Sequence, residues 1–273
     1  MKTLIVATDF SREAENATEY AGAAAAVLGA KVILFNSFDV PVHLANSLLP
    51  ASNIAEIMEQ NNQFLQERAR KLSEDYSIET GYESGLLLDV SKELKNLIAK
   101  HEADLVVMGM AASSLAQDIF GNTTTAAIMQ LKFPVLAVPA DVKYDGIKKI
   151  LFACEVTRGV HQKVLDQIRN LSLLFNAEVI LFHVREKVSE IEESQVRSSA
   201  KEIGDGLKGT SYYFKDVDSE EVIKAIKNEL QVSGADLLIM VPYRYGFWNS
   251  LIQRSKTRMM ASKSSVPLLS IPL

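Results

Sequence analysis

The 273-residue sequence has a single cysteine, Cys154, few aromatic residues and no long hydrophobic segment. One thiol cannot form an intramolecular disulfide, which excludes the small disulfide-stabilised folds. The Ala-rich stretch at residues 21–30 is too short to cross a bilayer. The opening residues, MKTLIVATDF, lack a small-residue cleavage site behind them and favour a strand over a signal peptide. We therefore expect a cytoplasmic protein that does not act in a membrane.

Neither sign of charge is in strong excess. The sequence has 29 Lys and Arg against 34 Asp and Glu, a formal net charge of -5, and its basic residues are scattered. Because nucleic-acid-binding proteins usually concentrate cations on one face, nucleic acid is not an expected partner. Hydrophobic residues make up 48% and charged residues 23%, which is typical of globular proteins, and the length suits two domains.

Four apolar, strand-like segments of the first half recur in the second half in the same order. Each pair is offset by 132 to 147 residues. An internal repeat of this length indicates a duplicated structural unit. We predict an N-terminal domain of residues 1–143 and a C-terminal domain of residues 144–273. The paired segments are residues 3–9 and 149–155, 31–35 and 178–182, 103–108 and 235–240, and 133–139 and 266–272.

Amphipathic segments between these strands predict helices. The first runs from Ser11 to Leu28, with Ser11 as its N-cap, and its counterpart runs from Thr157 to Leu174, with Thr157 as the matching cap. Strands that are apolar on both faces and alternate with helices predict an α/β fold of two tandem doubly wound domains, each with a mainly parallel five-stranded sheet. Further helices are predicted at residues 54–72, 88–100, 123–131, 189–207, 219–230 and 256–262.

In each half, a strand that ends in a carboxylate precedes a helix and, later, a strand containing ADLVVMG or ADLLIM. This order resembles the universal stress protein family, and the resemblance covers nearly the whole chain, twice. It implies a Rossmann-like fold of the adenine nucleotide alpha hydrolase type and a stress-response function. It also implies a glycine-rich loop after the fourth strand, which holds the phosphates of ATP in the members that bind it.

The glycine-rich loop is partly preserved in the first half. The family pattern is Gly, two residues, Gly, nine residues, then Gly followed by Ser or Thr. Gly109 and Gly121 match it, Ala112 replaces the second glycine, and Asn122 with Thr123 replaces the final Gly-Ser pair. These residue types would bind phosphates, or they would form only a turn and a helix cap.

The corresponding loop of the second half, residues 241–257, has lost the glycines of the pattern. Pro242 has no amide N–H to donate, and four aromatic side chains would crowd a triphosphate. We therefore expect no nucleotide in the second half, and the aromatic residues favour packing against a partner subunit. They are Tyr243, Tyr245, Phe247 and Trp248.

Asp9 ends the first strand, and the resemblance implies that it lies beside the adenosine part of a nucleotide. The alternative is a capping or solvated carboxylate, and its counterpart Glu155 departs from the pattern. Asn36 and Ser37, just past the second strand, would line the same crevice or belong to an ordinary loop. The predicted ligand is ATP or AMP, with Mg²⁺ accompanying ATP. The predicted site comprises Asp9, Asn36, Ser37, Gly109, Ala112, Gly121, Asn122, Thr123 and Thr124.

Two functions stay open from the sequence. One is a stress-response module that binds adenine nucleotide in its N-terminal domain, and the other is an interaction protein that acts through dimer or partner surfaces. A slow ATPase is the least favoured, since no catalytic cluster is found at useful spacing. Residues 133–138 and 266–271 would pair the two halves as an internal pseudo-dimer, and a homodimer is a further option. Residues 36–65 are either a lid or a packing insertion.

Overall fold

The computed structural model describes residues 1–38, 51–86, 90–110, 122–185, 193–242 and 266–273. The described residues up to Tyr144 form one compact unit, and those from Asp145 onward form a second one. None of the helices in the described ranges is both long enough and apolar enough to span a membrane. The helix predicted at residues 256–262 lies outside the described ranges.

The first unit is a parallel sheet with helices between its strands. In the sheet its strands follow the order β3-β2-β1-β4-β5, and neighbouring strands run parallel. The strands are β1 (Thr3–Ala7), β2 (Lys31–Phe38), β3 (Thr80–Leu86), β4 (Leu105–Met110) and β5 (Val135–Pro139). The helices are α1 (Arg12–Leu28), α2 (Ala51–Tyr76), α3 (Val90–His101) and α4 (Asn122–Gln130).

The second unit repeats this architecture in its described residues. Its strands follow the equivalent order, β8-β7-β6-β9-β10, and are again parallel. The predicted fold of two parallel five-stranded α/β domains is therefore confirmed. The strands are β6 (Lys149–Ala153), β7 (Glu178–Arg185), β8 (Tyr212–Asp218), β9 (Leu237–Met240) and β10 (Leu268–Ser270). The helices are α5 (Gln162–Phe175), α6 (Glu193–Gly206) and α7 (Val222–Ser233).

Each sheet is the centre of its unit's core. Residues 4–6 of β1 and residues 150–152 of β6 are almost completely buried, as expected for central strands covered by helices on both faces. Within each unit, an aspartate makes an equivalent polar contact at the start of the central strand. Asp104 Oδ2 accepts hydrogen bonds from the amides of residues 2–3, at 2.6 and 3.2 Å. Asp236 Oδ2 accepts them from residues 148–149, at 2.7 and 2.9 Å.

The first helix of the second unit begins later than the sequence predicts. Thr157 does not cap it, because Thr157 lies within a 3₁₀ turn, Val156–Arg158. Gly159 then adopts a left-handed φ of 69° and interrupts the helical path. The helix begins at Gln162, and the Nδ1 atom of His161 accepts the capping hydrogen bond. The predicted cap was therefore wrong, since sequence spacing alone did not reveal the extra turn.

Candidate functional site

The first unit has a topological switch point between β1 and β4. These strands are neighbours, but the chain leaves β1 toward β2 on one side and leaves β4 toward β5 on the other. Such a reversal opens a crevice outside the carboxyl ends of the strands, where α/β proteins bind their ligands. Asp9 follows β1 by two residues, while Gly109 and Met110 end β4. The topology thus brings these two predicted site residues, Asp9 and Gly109, to the same edge of the sheet.

A tight loop connects β1 to α1 at this edge. The buried Thr8 hydroxyl accepts a hydrogen bond from the Phe10 amide at 3.0 Å, and the exposed Asp9 Oδ1 accepts one from the Ser11 amide at 3.0 Å. Phe10 has a φ of 61°, which is uncommon for a residue with a side chain. The loop therefore holds the Asp9 carboxylate at the surface of the crevice through its own backbone.

The start of α1 packs closely against the end of β4. Ser11 is its N-cap, as predicted, and its Oγ atom accepts a hydrogen bond from the Ala14 amide at 3.3 Å. A Cβ atom on Gly109 would lie 2.6 Å from the carbonyl carbon of Glu13 and 2.7 Å from the Ala14 nitrogen. Gly109 is therefore required by helix–strand packing, a reason that the sequence motif did not provide.

Asn36 and Ser37 lie within β2, so the prediction that they follow the strand was wrong. The strand continues to Phe38 because it pairs with β3 along its whole end, with Asn36 opposite Ser84. Asn36 is 5% exposed, and its Nδ2 atom donates to the Thr8 carbonyl oxygen at 2.6 Å. Its Oδ1 atom is buried and has no hydrogen-bond partner among the described residues. A buried carbonyl oxygen thus borders the loop that carries Asp9.

The strand before the predicted phosphate loop is also longer than expected, because β4 extends past Met108 to Met110. Helix α4 begins at Asn122, whose side chain lies outside the described part of the structure, and Thr123 is exposed. The buried Thr124 hydroxyl donates to the Gly109 carbonyl oxygen at 3.0 Å. This contact ties the start of α4 to the end of β4. Ala112 and Gly121, two further predicted site residues, lie outside the described residues.

Helix α2 is joined to α1 by charged residues beside the same loop. Arg68 Nε lies 2.7 Å from Glu15 Oε2, and Arg68 Nη2 lies 2.5 Å from Glu19 Oε1. The Tyr76 hydroxyl donates to Glu19 Oε2 at 2.7 Å. Burial and this hydrogen bond to Glu19 raise the pKa of Tyr76 to about 12, so the phenol stays a neutral donor at physiological pH. The cluster fixes α2 over α1.

The equivalent position of the second unit is occupied by different residues. Glu155, the counterpart of Asp9, forms an ion pair with Arg158 in the adjoining 3₁₀ turn. His183, the counterpart of Asn36, is buried, and its Nδ1 atom lies 3.2 Å from the Cys154 carbonyl oxygen. The Cys154 thiol is itself buried, and burial followed by the nearby Glu155 charge raises its pKa. This agrees with an unreactive core cysteine rather than a nucleophile.

Charged residues also fill the carboxyl ends of β7 and β8. Arg185 Nε lies 3.0 Å from Asp216 Oδ2 and 3.1 Å from Asp218 Oδ1. The strand register places Arg185 opposite Asp218. The second crevice is therefore bordered by side chains that neutralise one another. The aromatic loop predicted there, residues 243–248, lies outside the described residues.

Within the described ranges, no group of three or more His, Cys, Asp or Glu side chains is arranged to hold a metal ion. Besides His183, two more histidines have local structural contacts. His161 caps α5, and His101 Nε2 lies 2.8 Å from Glu83 Oε1. The described part of the site thus provides hydrogen-bonding groups and a helix N-terminus.

Together, the parallel sheets and their strand order define a Rossmann-like α/β domain present in two copies. The model of the universal stress protein family matches residues 1–139, just over half of the chain, and the chain therefore belongs to that family. The family resemblance inferred from the strand and loop motifs is confirmed. No curated protein matches the chain.

Solved structures show the same fold over the full length. A universal stress protein from Archaeoglobus fulgidus DSM 4304 is 18% identical, with a TM-score of 0.73 over 99% of this chain and 98% of that chain. A putative universal stress protein from Pseudomonas aeruginosa UCBPP-PA14 is 13% identical, with a TM-score of 0.65 over 100% of this chain and 93% of that chain. At these identities the likeness establishes the fold.

Proposed function

We propose that the chain is a stress-response module whose first unit binds an adenine nucleotide, ATP or AMP, at its switch point. The observation that carries this proposal is the position of Asp9. Its carboxylate is exposed at the carboxyl end of β1 and held by the Ser11 amide. A carboxylate at the crevice of a doubly wound sheet is suited to accept hydrogen bonds from ribose hydroxyls.

The start of α4 would supply the phosphate end of the site. Helix N-termini attract anions, because their first amide groups are unpaired and the helix dipole is positive there. The hydrogen bond from Thr124 to the Gly109 carbonyl keeps this helix start beside β4 and therefore beside the same crevice. Asn122 and Thr123 would lie closest to the phosphates, and Mg²⁺ would enter with ATP.

We assign the second unit a structural role, because its counterpart residues already form ion pairs with one another. Glu155 is paired with Arg158, and Arg185 lies between two aspartates. A nucleotide there would have to break these ion pairs before it could use either group. We propose binding without substantial ATP hydrolysis, in the cytoplasm. The internal pseudo-dimer and the homodimer stay predictions, which sedimentation of the intact chain can test.

Calorimetric titration tests the nucleotide proposal. ATP and AMP, with Mg²⁺, are titrated into the wild-type chain, an Asp9→Ala variant and a matched Glu155→Ala variant. We expect one site per chain and an affinity that falls at least about tenfold in Asp9→Ala, since a lost charge-assisted hydrogen bond contributes roughly this much. Glu155→Ala should bind like the wild type.

The opposite result would favour the alternative, a protein that acts through association surfaces. No heat and no thermal shift at millimolar nucleotide would refute the binding proposal. One observation favours this second candidate: the Phe64 side chain is 70% exposed on α2, and Phe10 beside it is 38% exposed. Sedimentation of the same wild-type sample would then show whether the chain self-associates.

A further inference from the structure

Three buried side-chain atoms in the first unit have no hydrogen-bond partner among the described residues. One of them, Arg68 Nη1, belongs to a guanidinium that is already paired with Glu15 and Glu19 through its other nitrogens. The other two are the Oδ1 atom of Asn36, an acceptor, and the Nδ2 atom of Asn61, a donor. Buried polar groups in native proteins are nearly always paired, because leaving one unpaired is costly. An unpaired acceptor and an unpaired donor in one region therefore need a physical explanation.

Asn36 borders the loop between β1 and α1, since its Nδ2 atom donates to the Thr8 carbonyl, one residue before Asp9. Asn61 lies on α2, and its position relative to this loop follows from the helix face that carries it. Residues three and seven positions later on that helix share its face. The first of them is Phe64, whose ring centroid lies 6.5 Å from that of Phe10.

The other residue on this face is Arg68, which pairs with Glu15 and Glu19 of α1. The face of α2 that carries Asn61 is thus turned toward α1 and toward the loop that precedes it. Asn61 lies one helical turn nearer than Phe64 to the carboxyl edge of the sheet, where Asp9 is located. Asn36 and Asn61 therefore lie on two elements, β2 and α2, that adjoin the candidate nucleotide site.

We propose that Asn36 and Asn61 recognise the base edge of the bound nucleotide and select a 6-aminopurine over a 6-oxopurine. This inference rests on the proposed nucleotide site. The edge of a 6-aminopurine presents an amine donor beside a ring-nitrogen acceptor, which complements the free Asn36 oxygen and the free Asn61 amide nitrogen. A 6-oxopurine reverses both groups, so each asparagine atom would face a group of its own kind.

The second unit supplies a control for Asn36. Its counterpart, His183, keeps the equivalent contact to the carbonyl oxygen of Cys154 at 3.2 Å, but its side chain has no carbonyl oxygen. The Asn36→His variant should therefore keep the contact to Thr8 through a ring N–H, while the free amide oxygen is replaced by the second ring nitrogen at a different position. Asn62 supplies a second control, because its Oδ1 atom accepts a hydrogen bond from Ser84 at 2.5 Å and is already paired.

The test compares ATP with inosine triphosphate, in which an oxygen replaces the 6-amino group. Both are titrated with Mg²⁺ into the full chain and into the Asn36→His, Asn61→Ala and Asn62→Ala variants. We expect the wild type and Asn62→Ala to prefer ATP by roughly tenfold to a hundredfold. The preference should fall to within about twofold in Asn36→His and should weaken in Asn61→Ala. Thermal unfolding of each variant shows whether it is folded, and Asn61→Ala carries the test if Asn36→His is not.

Base recognition and nucleotide binding fail in different ways. If ATP and inosine triphosphate bind equally well, and both depend on Asp9, nucleotide binding stands and base recognition by the two asparagines is overturned. It is also overturned if the preference survives in both Asn36→His and Asn61→Ala, or if Asn62→Ala abolishes it as well. If neither nucleotide binds, both proposals are overturned together.

Discussion

The closest backbone approach at the candidate site gives a direct test of the structure. An alanine at position 109 would place its Cβ atom 2.6 Å from the Glu13 carbonyl carbon, 2.7 Å from the Glu13 oxygen and 2.7 Å from the Ala14 nitrogen. Ordinary contacts of a Cβ atom begin near 3.4 Å. All three neighbours are backbone atoms of the first turn of α1, so no side chain can rotate away. Either α1 must shift as a whole, or β4 must bend.

The loss of stability expected for Gly109→Ala follows from the close packing of α1 on β4. Overfilling a well-packed interior costs about 1–3 kcal/mol, and a clash with fixed backbone belongs at the upper end. A domain of this size loses roughly 2–4 °C in melting temperature for each kcal/mol. Gly109→Ala is therefore expected to lower the melting temperature of the first unit by about 4–10 °C. The measurement is calorimetric unfolding of the purified chain.

Gly85 in β3 is a matched control. The nearest atom to a Cβ at this position is a Phe35 ring carbon at 3.6 Å, an ordinary contact. Gly85→Ala should therefore change the stability by no more than about 0.5 kcal/mol. If Gly109→Ala melts together with the wild type, the close packing of α1 on β4 is wrong. If both variants are equally destabilised, the effect belongs to strand glycines in general and not to this contact.

Two further predictions concern a helix cap and an ion pair. Ser11→Ala should destabilise the chain by about 1 kcal/mol by removing the α1 cap, whereas Thr157→Ala should be nearly neutral in the same urea titration. Burial acts to raise the pKa of Glu83, but hydrogen bonds from Lys100 and His101 outweigh this effect, and the pKa is lowered on balance. A carboxyl whose pKa is lower in the folded state stabilises the protein at pH values above its unfolded-state pKa of about 4.3. The wild type should therefore be more stable than Glu83→Gln at neutral pH. This difference in unfolding free energy should disappear as the pH falls through the folded-state pKa. A stability difference that does not change between pH 7 and pH 3 would contradict the second prediction.

The strands that the sequence revealed are the central ones. Their residues are apolar on both faces because helices cover both sides of the sheet, and the short apolar runs are therefore visible. The third strand of each unit, β3 and β8, was not located. Both lie at the edge of the sheet order and carry exposed or charged side chains, such as Tyr82 in β3 and Tyr212 in β8. An edge strand with a solvent-exposed face has fewer apolar residues, so its hydrophobic pattern in the sequence is weak.

The candidate site was predictable where it depends on topology and unpredictable where it depends on register. Strand order alone brings Asp9 and Gly109 to one edge, which the alternation of strands and helices already implied. The same reasoning misplaced Asn36, because only the pairing of β2 with β3 shows that the strand continues past it. It gave Gly109 a role in phosphate binding, and it did not predict the close approach of the Glu13 backbone.

Comparison of the two units separates what the fold requires from what a ligand would use. In the first unit, the Asn36 side chain contacts the Thr8 carbonyl at 2.6 Å, and in the second unit His183 contacts the equivalent Cys154 carbonyl at 3.2 Å. This contact joins the ends of the first two strands in both copies, so it is explained by structure alone. The free oxygen of Asn36 is present only in the first unit. The two carboxylates also differ, because Asp9 accepts a hydrogen bond from the Ser11 amide, whereas Glu155 forms an ion pair with Arg158. The fold does not require these two differences, and both lie at the switch point of the first unit. The binding experiments are therefore directed at that site.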